Sequence, residues 1–279
     1  MESSADADYR RRKRVTLPRI SVVTPSYQQA NYLRQTLESI HAQNYPNLEH
    51  IVIDGGSTDG SIEILKAYDS QLAYWVSEPD AGQSDAINKG FAHATGEIMT
   101  WLNSDDVLLD GALQTVGEIF QAFPQVAWLT GQPANMDVAG NLKQFPLKTG
   151  RFQKFIQRGW YHGRGLGFIR QEGTFWRRSL WEQVDSHINT AKHYAMDFDL
   201  WQRFAQHAPL YTVDQTLAAF RTQPEQKTSH IDRYYTEADI TTPSFMRYPM
   251  LPLRALFTWG SWPFAPRIIR NQANWQVQN

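Results

Sequence analysis

The chain of 279 residues contains no cysteine, which excludes disulfide bonds and any metal site built from thiolates. Its net charge is −1, so nucleic acid, which needs a basic surface, is not expected as a partner. No apolar run approaches the length of a membrane-spanning helix, and the N-terminus lacks the apolar core of a signal peptide. What remains is a globular chain that is long enough to bury a sizeable core in one domain.

Two common phosphate-binding motifs are also missing. No Gly-Lys-Ser/Thr ending follows Gly55-Gly56, as a Walker loop would require, and no Gly-x-Gly-x-x-Gly follows the first predicted strand. The glycine pair still permits a tight turn and the close approach of a ligand to the backbone. Ser57 or Thr58 can cap the helix that follows, and the N-terminus of that helix would favour anionic groups.

Apolar runs and helix-like stretches alternate in the first part of the chain. The predicted strands are residues 19–24, 50–53, 72–76 and 97–102, and the predicted helices are about residues 32–42, 61–68 and 84–94. This alternation predicts an α/β fold with a mostly parallel, Rossmann-like sheet that is covered by helices. In such sheets ligands bind beyond the carboxyl ends of the strands, and all four predicted strands end there in polar or turn-forming residues.

The acidic run Asn103-Ser104-Asp105-Asp106 follows the fourth predicted strand directly. Two adjacent carboxylates at the rim of a sheet repel each other and are costly to desolvate, so a cation is expected beside them. Mg²⁺ or Mn²⁺, bridging to a substrate phosphate, fits this requirement. The alternative is an acidic loop that caps the next helix, for example through Asp110.

Five motifs in register resemble those of the family 2 glycosyltransferases, which have the GT-A fold. The motifs are Ile20 to Tyr27, Ile53 to Gly60, Ser77 to Gly82, Asp85 to Gly90 and Asn103 to Asp106. The resemblance runs over about residues 19–220. It implies an inverting transfer of a sugar from a nucleotide-sugar, usually with Mn²⁺ or Mg²⁺, to a glycan or lipid-linked acceptor in polysaccharide or glycoconjugate biosynthesis. A UDP-sugar is the first donor to expect.

The resemblance also implies roles for individual residues on the donor side. The nucleoside would be bordered by Pro25, Ser26 and Tyr27, and Asp54 would bind the base or ribose side of the donor. The donor pocket would be lined by Asp80 and Asp85. Asp105 would bind the metal, with Asn103 and Ser104 beside it. Three positions depart from the family pattern. Gly55 replaces a second acid, which weakens the prediction of uracil; Asn103 replaces the first acid of Asp-x-Asp; and Ile87 replaces an arginine, so Lys89 is the candidate cation for the phosphates.

Further along the chain, residues 195–203 resemble the family's second acidic motif and place the catalytic base at Asp197. In a single displacement the acceptor hydroxyl attacks the anomeric carbon while the nucleotide diphosphate leaves, and a carboxylate takes the proton of the hydroxyl. The alternative is that Asp197 and Asp199 only begin a helix, since aspartate is favoured in a first turn.

Other candidates lie on the acceptor side. Gln171 and Glu172 are candidate contacts to sugar hydroxyls, because relatives place an acceptor-side strand there. His230 is a candidate metal ligand or an ordinary surface residue. The glycine-rich segment 159–167 is a loop that closes over sugar and acceptor, or an irregular connection.

The predicted organisation is a flexible basic tail (1–17), a GT-A domain (18–242) with a nucleotide-sugar-binding half (18–110) and an acceptor-side half (111–242), and a C-terminal tail (243–279). Aromatic and arginine side chains in this last tail suit peripheral contact with a membrane, and packing on the domain or in a dimer are the alternatives. A nucleotide-sugar donor implies the cytosol, which would place the contact at the inner face of the membrane.

Two other functions fit the sequence less well. A sugar-nucleotide nucleotidyltransferase is disfavoured, because the first strand leads into Pro25-Ser26-Tyr27 and not into a glycine-rich loop with Arg or Lys. A non-catalytic nucleotide-sugar-binding scaffold is disfavoured by the presence of both Asp105 and Asp197.

Overall fold

A computed structural model describes residues 16–145, 150–223, 226, 230–239, 265–271 and 274–278. The helices are α1 (Ala30–His41), α2 (Ser61–Tyr68), α3 (Gln83–His93), α4 (Ala112–Ala122), α5 (Gln153–Gln157), α6 (Arg178–Glu182), α7 (Met196–His207) and α8 (Ile231–Glu237). The strands are β1 (Ile20–Ser26), β2 (Leu48–Asp54), β3 (Tyr74–Ser77), β4 (Ile98–Trp101), β5 (Val107–Leu108), β6 (Trp128–Thr130), β7 (Ala134–Met136), β8 (Leu142–Gln144), β9 (Thr174–Arg177), β10 (Leu210–Val213), β11 (Ala218–Arg221), β12 (Arg267–Asn271) and β13 (Asn274–Gln278).

The central sheet has the strand order β13-β12-β10-β6-β9-β4-β1-β2-β3, and a smaller sheet has the order β5-β11-β7-β8. Strands β3, β2, β1 and β4 are parallel to one another, as predicted. Ser26 lies opposite Asp54, and Asp54 lies opposite Ser77, so the carboxyl ends of β1, β2 and β3 are level. The polar segments that follow these strands therefore meet at one edge of the sheet.

Strand β9 is antiparallel to both of its neighbours, β4 and β6. It comes from the second half of the predicted domain and is inserted beside the first half. The two predicted halves, 18–110 and 111–242, are therefore parts of one continuous sheet.

Tryptophans fill the core directly below the acidic run. Trp101, the last residue of β4, stacks on Trp201 of α7 with ring centroids 5.9 Å apart, and Trp176 of β9 lies edge-on to both rings. All three are buried in one hydrophobic cluster. Large aromatic rings make many close contacts, so this cluster rigidly connects the end of β4 to helix α7.

The C-terminal segment differs from the prediction of a separate tail. Residues 240–264 lie outside the described part of the chain, but β12 pairs in parallel with β10, and β13 pairs with β12. Ile268 is fully buried in the core cluster that also contains Val213. Strands β12 and β13 therefore extend the central sheet beyond the predicted boundary at residue 242. At the other end, residues 1–15 are outside the described range, while Leu17 packs against the core.

Ile268→Ala should lower the free energy of unfolding by about 2–5 kcal/mol, because it leaves a cavity in a filled core. Ile269→Ala is the matched control: its side chain is on the opposite face of the same strand and only partly buried, so a loss of about 1 kcal/mol or less is expected. Urea denaturation followed by circular dichroism measures both. Equal losses for the two variants would show that β12 does not belong to the core.

His50 makes the fold sensitive to acid. Its buried ring lies between Thr24 Oγ1, 3.0 Å from Nε2, and the His41 ring, 3.1 Å from Nδ1. Burial, and then the neighbouring His41, lower the pKa of His50 well below its ordinary value of 6.5. The folded state therefore binds this proton less readily than the unfolded state does. The stability that follows from the neutral ring is complete above pH 6.5 and is lost as the pH falls below it.

We expect the urea midpoint of the wild type to fall between pH 7.5 and pH 5.5 more steeply than that of His50→Gln, which has no proton to take up. Each pH unit contributes up to about 1.4 kcal/mol for one group. Identical pH dependence in the two proteins would exclude His50 as a source of acid sensitivity.

Candidate active site

The acidic run at the end of β4 is held by hydrogen bonds that give its members different environments. Asn103 Oδ1 accepts a hydrogen bond from Gln83 Nε2 (2.7 Å), and Asn103 Nδ2 donates to Asp106 Oδ2 (3.1 Å). Asp106 is fully buried and accepts the backbone N–H of Arg221 (2.9 Å). Burial, followed by the charges of Asp105 and Glu172, raises the pKa of Asp106 well above its usual range. The buried Asp106 side chain therefore holds the loop 103–106 in place through these hydrogen bonds.

Asp105 is only partly buried, and its Oδ2 accepts a hydrogen bond from Gln223 Nε2 (2.6 Å). Burial raises the pKa of this carboxyl, while the hydrogen bond from Gln223 acts in the opposite direction. Of the two adjacent acids, Asp105 is the one with access to a ligand.

Arg221, the last residue of β11, is 1% exposed, and sequence patterns did not predict its role. Its Nε donates to the backbone oxygen of Asp105 (2.6 Å), one terminal nitrogen donates to Gln35 Oε1 (2.6 Å), and the guanidinium lies 5.0 Å from the centre of the Tyr32 ring. A buried guanidinium group therefore lies next to the loop that carries the two carboxylates. The signal in the sequence was an arginine that ends the apolar strand 218–220, since a buried charge needs a partner.

Gln171 and Glu172 lie behind the acidic run. Gln171 donates a hydrogen bond to the carbonyl oxygen of Trp101. Oε1 of Gln171 and Oε1 of Glu172 are buried, and neither has a hydrogen-bond partner among the described residues. Burial raises the pKa of Glu172, and the charge of Asp105 acts in the same direction. Their role as contacts to the acceptor stays a prediction.

The oxygen atoms at this edge of the sheet fit a hard divalent cation. Asp105 supplies a carboxylate, Asn103 an amide oxygen, and Glu172 a buried carboxyl oxygen that has no partner among the described residues. Within the described part of the chain, no three His, Asp or Glu side chains converge as a preformed metal cage. Mg²⁺ is commonly bound through one or two carboxylates, with phosphate oxygens of the substrate and water as its other ligands, and these residues fit that arrangement.

Asp54, predicted to contact the nucleoside, is fully buried at the end of β2. Its oxygens accept four hydrogen bonds: from the backbone N–H groups of Gly56 (3.2 Å) and Ser57 (2.8 Å), and from the hydroxyls of Ser57 (2.6 Å) and Ser77 (2.7 Å). Its carboxylate thus orders the glycine turn and joins the ends of β2 and β3.

The remaining predicted donor residues surround this turn. Pro25 and Ser26 are buried at the end of β1, whereas the Tyr27 ring is 61% exposed. Lys89 Nζ lies 2.9 Å from Glu78 Oε1 and 3.6 Å from Asp85 Oδ2, so it forms ion pairs here with two acids of the same region.

Helix α3 connects the acidic run to the segment that carries Asp197. At its start, Gln83 binds Asn103, while the next residue, Ser84, donates from Oγ to the carbonyl of Lys192 (3.1 Å) and contacts Met196 Sδ (3.0 Å). Met196 immediately precedes Asp197 at the start of α7. One turn later, Asn88 exchanges two hydrogen bonds with the backbone of Ile188 (2.9 and 2.7 Å). The helix therefore brings the two acidic motifs to one end of the sheet.

Asp197 lies in the first turn of α7 and accepts a hydrogen bond from the N–H of Phe198 (2.7 Å). Glu237, at the end of α8, holds the preceding peptides through the N–H groups of Tyr194 (2.6 Å) and Ala195 (3.1 Å). Helix α8 also places Tyr234 near Asp197; burial is the main cause of the raised pKa of Tyr234, and the charge of Asp197 adds to it. No pattern in residues 231–237 predicted that α8 supports this motif.

Residues 21–182, more than half of the chain, match the family described as "Glycosyl transferase family 2". The chain belongs to this family. An uncharacterized glycosyltransferase of Mycobacterium tuberculosis is 46% identical over 90 residues, which cover 32% of this chain and 34% of that protein. One of Rickettsia conorii is 25% identical over 242 residues, which cover 81% of this chain and 38% of that protein.

Solved structures show the same fold, and the chain is a GT-A protein, as predicted. Residues 1–349 of S. aureus TarS, in complex with UDP-GlcNAc, align with a TM-score of 0.62 at 17% identity, covering 78% of this chain and 64% of that one. The mannosyltransferase PcManGT from Pyrobaculum calidifontis, in complex with GDP-Man and Mn²⁺, aligns with a TM-score of 0.58 at 19% identity, covering 91% and 75%. The chain spans about a third of the length of the two curated relatives named above.

The family 2 chain carries two further predicted elements near α8. His230 is exposed just before α8, edge-on to Tyr194 with ring centroids 6.4 Å apart, and its role as a metal ligand stays a prediction. The segment 159–167 contacts α8 through Arg164, which pairs with Asp232 (3.0 Å) and lies 3.9 Å from the centre of the Tyr235 ring. Among the described residues, no helix has the length and apolar character needed to span a bilayer.

Proposed function

We propose that this chain transfers a sugar, with inversion, from a nucleotide-sugar donor to a hydroxyl group of a glycan or lipid-linked acceptor. The observation that carries the proposal is the position of helix α3, which binds the end of β4 through Gln83 and the start of α7 through Ser84. Asp105 and Asp197 follow these two points closely in the chain. A leaving diphosphate at the first acid and an attacking hydroxyl at the second would lie on opposite sides of one sugar.

Asp197 is the proposed general base. It begins α7 in a partly exposed position, and Glu237 holds the peptides that precede it. As the acceptor oxygen bonds to the anomeric carbon, its proton passes to the Asp197 carboxylate, and the bond to the diphosphate breaks on the far side. One displacement from the opposite face inverts the configuration of the anomeric carbon.

Asp105 is the proposed metal ligand, with Asn103 beside it. A bound Mn²⁺ or Mg²⁺ would stabilise the charge that develops on the leaving diphosphate. Arg221 fixes the backbone at Asp105, and Gln223 holds its carboxylate until a ligand competes for that oxygen. PcManGT, which shares the fold, is in complex with Mn²⁺, and this supports the use of a divalent metal by the present chain.

The test is an assay of sugar transfer and slow donor hydrolysis with UDP-, GDP-, ADP- and CDP-sugars, each with Mn²⁺ and with a chelator. Release of nucleoside diphosphate that depends on the metal and is accompanied by an inverted sugar anomer supports the proposal. Retention of configuration would exclude the single displacement. A protein that binds nucleotide-sugars but never turns them over would favour a scaffold.

Peripheral membrane contact stays a prediction that concerns residues 243–264, which lie outside the described part of the chain. Strands β12 and β13, from the same predicted tail, are part of the central sheet.

A further inference from the structure

The hairpin of β7 and β8, residues 134–145, concentrates exposed apolar side chains. Val138 is 60% exposed, Leu142 43% and Phe145 38%. These three belong to the five exposed large apolar side chains in the described part of the chain. Single exposed apolar residues are common on protein surfaces, whereas a group of them marks a surface that contacts another molecule or a membrane.

The turn of this hairpin is ordered by its own hydrogen bonds. The Asp137 carboxylate accepts the backbone N–H of Ala139 (2.9 Å), the backbone N–H of Asn141 (2.9 Å) and a side-chain N–H of Asn141 (2.9 Å). Gly140 has a φ angle of 88°, which a glycine adopts without strain. Val138 therefore projects from a turn of fixed shape, and the carboxylate next to it is engaged within that turn.

Strand β8 has apolar side chains on both of its faces. All three of its residues are exposed, and among the described strands it pairs only with β7. Successive side chains of a strand alternate between its faces, so Leu142 projects on one face while Lys143 and Phe145 project on the other. Lys143 Nζ lies 5.4 Å from the centre of the Phe145 ring. A flat protein partner covers one face of such a strand, whereas a lipid bilayer surrounds both.

The charge of this part of the chain complements an anionic surface. Residues 138–171 contain seven Lys and Arg and no Asp or Glu, although the whole chain has a net charge of −1. Lys143, Lys154 and Arg158 are exposed, and none of them forms an ion pair with another described residue. Cations beside exposed apolar side chains are typical of surfaces that bind anionic lipid headgroups.

We propose that the hairpin binds the protein to an anionic lipid bilayer, with Val138, Leu142 and Phe145 among the lipids and the neighbouring cations at the headgroups. This contact is separate from the one predicted for residues 243–264, and it goes beyond the proposed transfer reaction. Asn135 of β7 accepts a hydrogen bond from Arg170 (3.0 Å), two residues before Glu172, so the hairpin is joined to the candidate active site. A bilayer at the hairpin would present a lipid-linked acceptor close to that site.

The first experiment places a fluorescent label at the tip of the hairpin. The chain has no cysteine, so Val138→Cys in the full-length protein gives a single labelling position. An environment-sensitive fluorophore there should shift its emission to the blue when vesicles with about one third phosphatidylglycerol are added. Brominated lipids should quench it. Tyr74→Cys, labelled in the same way, is the matched control, because Tyr74 is 36% exposed but lies on β3; its emission should not change.

The second experiment measures co-sedimentation of unlabelled variants with the same vesicles. Leu142→Gln and Phe145→Gln should each lower the partition coefficient by about tenfold or more, because each removes an apolar side chain from the lipid phase. Tyr74→Gln should bind like the wild type. Circular dichroism checks that all variants are folded, which is expected because the substituted side chains are exposed.

The electrostatic part of the contact is tested by a change of charge. Lys143→Gln should weaken binding about fivefold at low ionic strength, and this difference should disappear at high salt. Lys66→Gln removes the same charge from the exposed surface of α2 and should have no effect. Equal weakening by the two substitutions would show that only the net charge of the protein matters, and would contradict a contact through the hairpin.

The possible outcomes are distinct. A blue shift at position 138, together with weaker binding of Leu142→Gln and Phe145→Gln, supports the proposal. A wild type that ignores the vesicles overturns it, and so does binding that both variants retain, which would place the contact elsewhere, for example in residues 243–264. A blue shift that needs no vesicles and grows with protein concentration also overturns it and identifies the hairpin as an interface between two copies. Donor hydrolysis in solution tests the transfer reaction separately from all of these results.

Discussion

Asp197→Asn is expected to lower turnover by about 100-fold or more while donor affinity stays close to that of the wild type. Asparagine has nearly the same shape and can still accept the N–H of Phe198, but it cannot take a proton from the acceptor hydroxyl. Asp197 would act as a general base only while the new bond forms, so its loss lowers kcat. The nucleotide is bound by other residues, so donor affinity does not depend on Asp197. Steady-state kinetics with a saturating donor, combined with calorimetry for the nucleoside diphosphate, measures both quantities.

Asp199→Asn is the matched control, because it makes the same chemical change two residues further along α7. Asp199 pairs with Arg203 at 2.9 Å, and both side chains are about a quarter exposed, so the pair contributes about 1 kcal/mol or less to stability. Arg203 keeps its hydrogen bonds to the carbonyls of Val184 and His187. Turnover of this variant should remain within a few-fold of the wild type. Normal turnover in Asp197→Asn would show that Asp197 is not the general base and only forms part of the first turn of α7.

Asp105→Asn should abolish metal-dependent transfer and remove most of the effect of Mn²⁺ on nucleotide binding. The variant keeps an oxygen that can accept the hydrogen bond from Gln223, so the loop should stay in place. It loses the charge of the best-placed hard ligand, and a neutral amide binds divalent cations much more weakly. Titration of nucleoside diphosphate with and without Mn²⁺ isolates this effect from catalysis.

Asp110→Asn serves as its control. Asp110 is an exposed acid a few residues further along the same segment, beyond β5, so it tests whether any loss of negative charge nearby weakens the metal. We expect it to bind nucleotide and Mn²⁺ like the wild type. If Asp105→Asn also retains full Mn²⁺ dependence, the metal is bound elsewhere, and Glu172 becomes the first carboxyl to substitute.

The local parts of the fold were predictable because their signals are short. Strands β1 to β4 lie within two residues of the apolar runs that predicted them, and α2 has the predicted bounds Ser61–Tyr68. Each of these elements is specified by its own periodicity. The level ends of β1, β2 and β3 follow from the parallel arrangement, and so does the meeting of their polar segments.

Long-range features were not predictable in the same way. Strand β9 pairs with strands that are far away in the chain. Strand β12 follows a segment that is rich in proline and aromatic residues. No local sequence pattern therefore predicts either pairing. The same limit applies to the site. The sequence pattern showed two adjacent acids. Only the fold shows that the Asp106 carboxylate accepts the backbone N–H of Arg221, whereas the Asp105 carboxylate accepts a hydrogen bond from Gln223.

The insertion of β9 between β4 and β6 has a consequence for how the protein is made. Ile98 and Met99 of β4 pair with Arg177 and Trp176, so on a growing chain one edge of β4 stays open until residue 177 has left the ribosome. An apolar strand with an unpaired edge can form hydrogen bonds with the wrong strand or with another chain. Nascent chains that stall between residues 102 and 173 should therefore be the species that aggregate or recruit chaperones during synthesis.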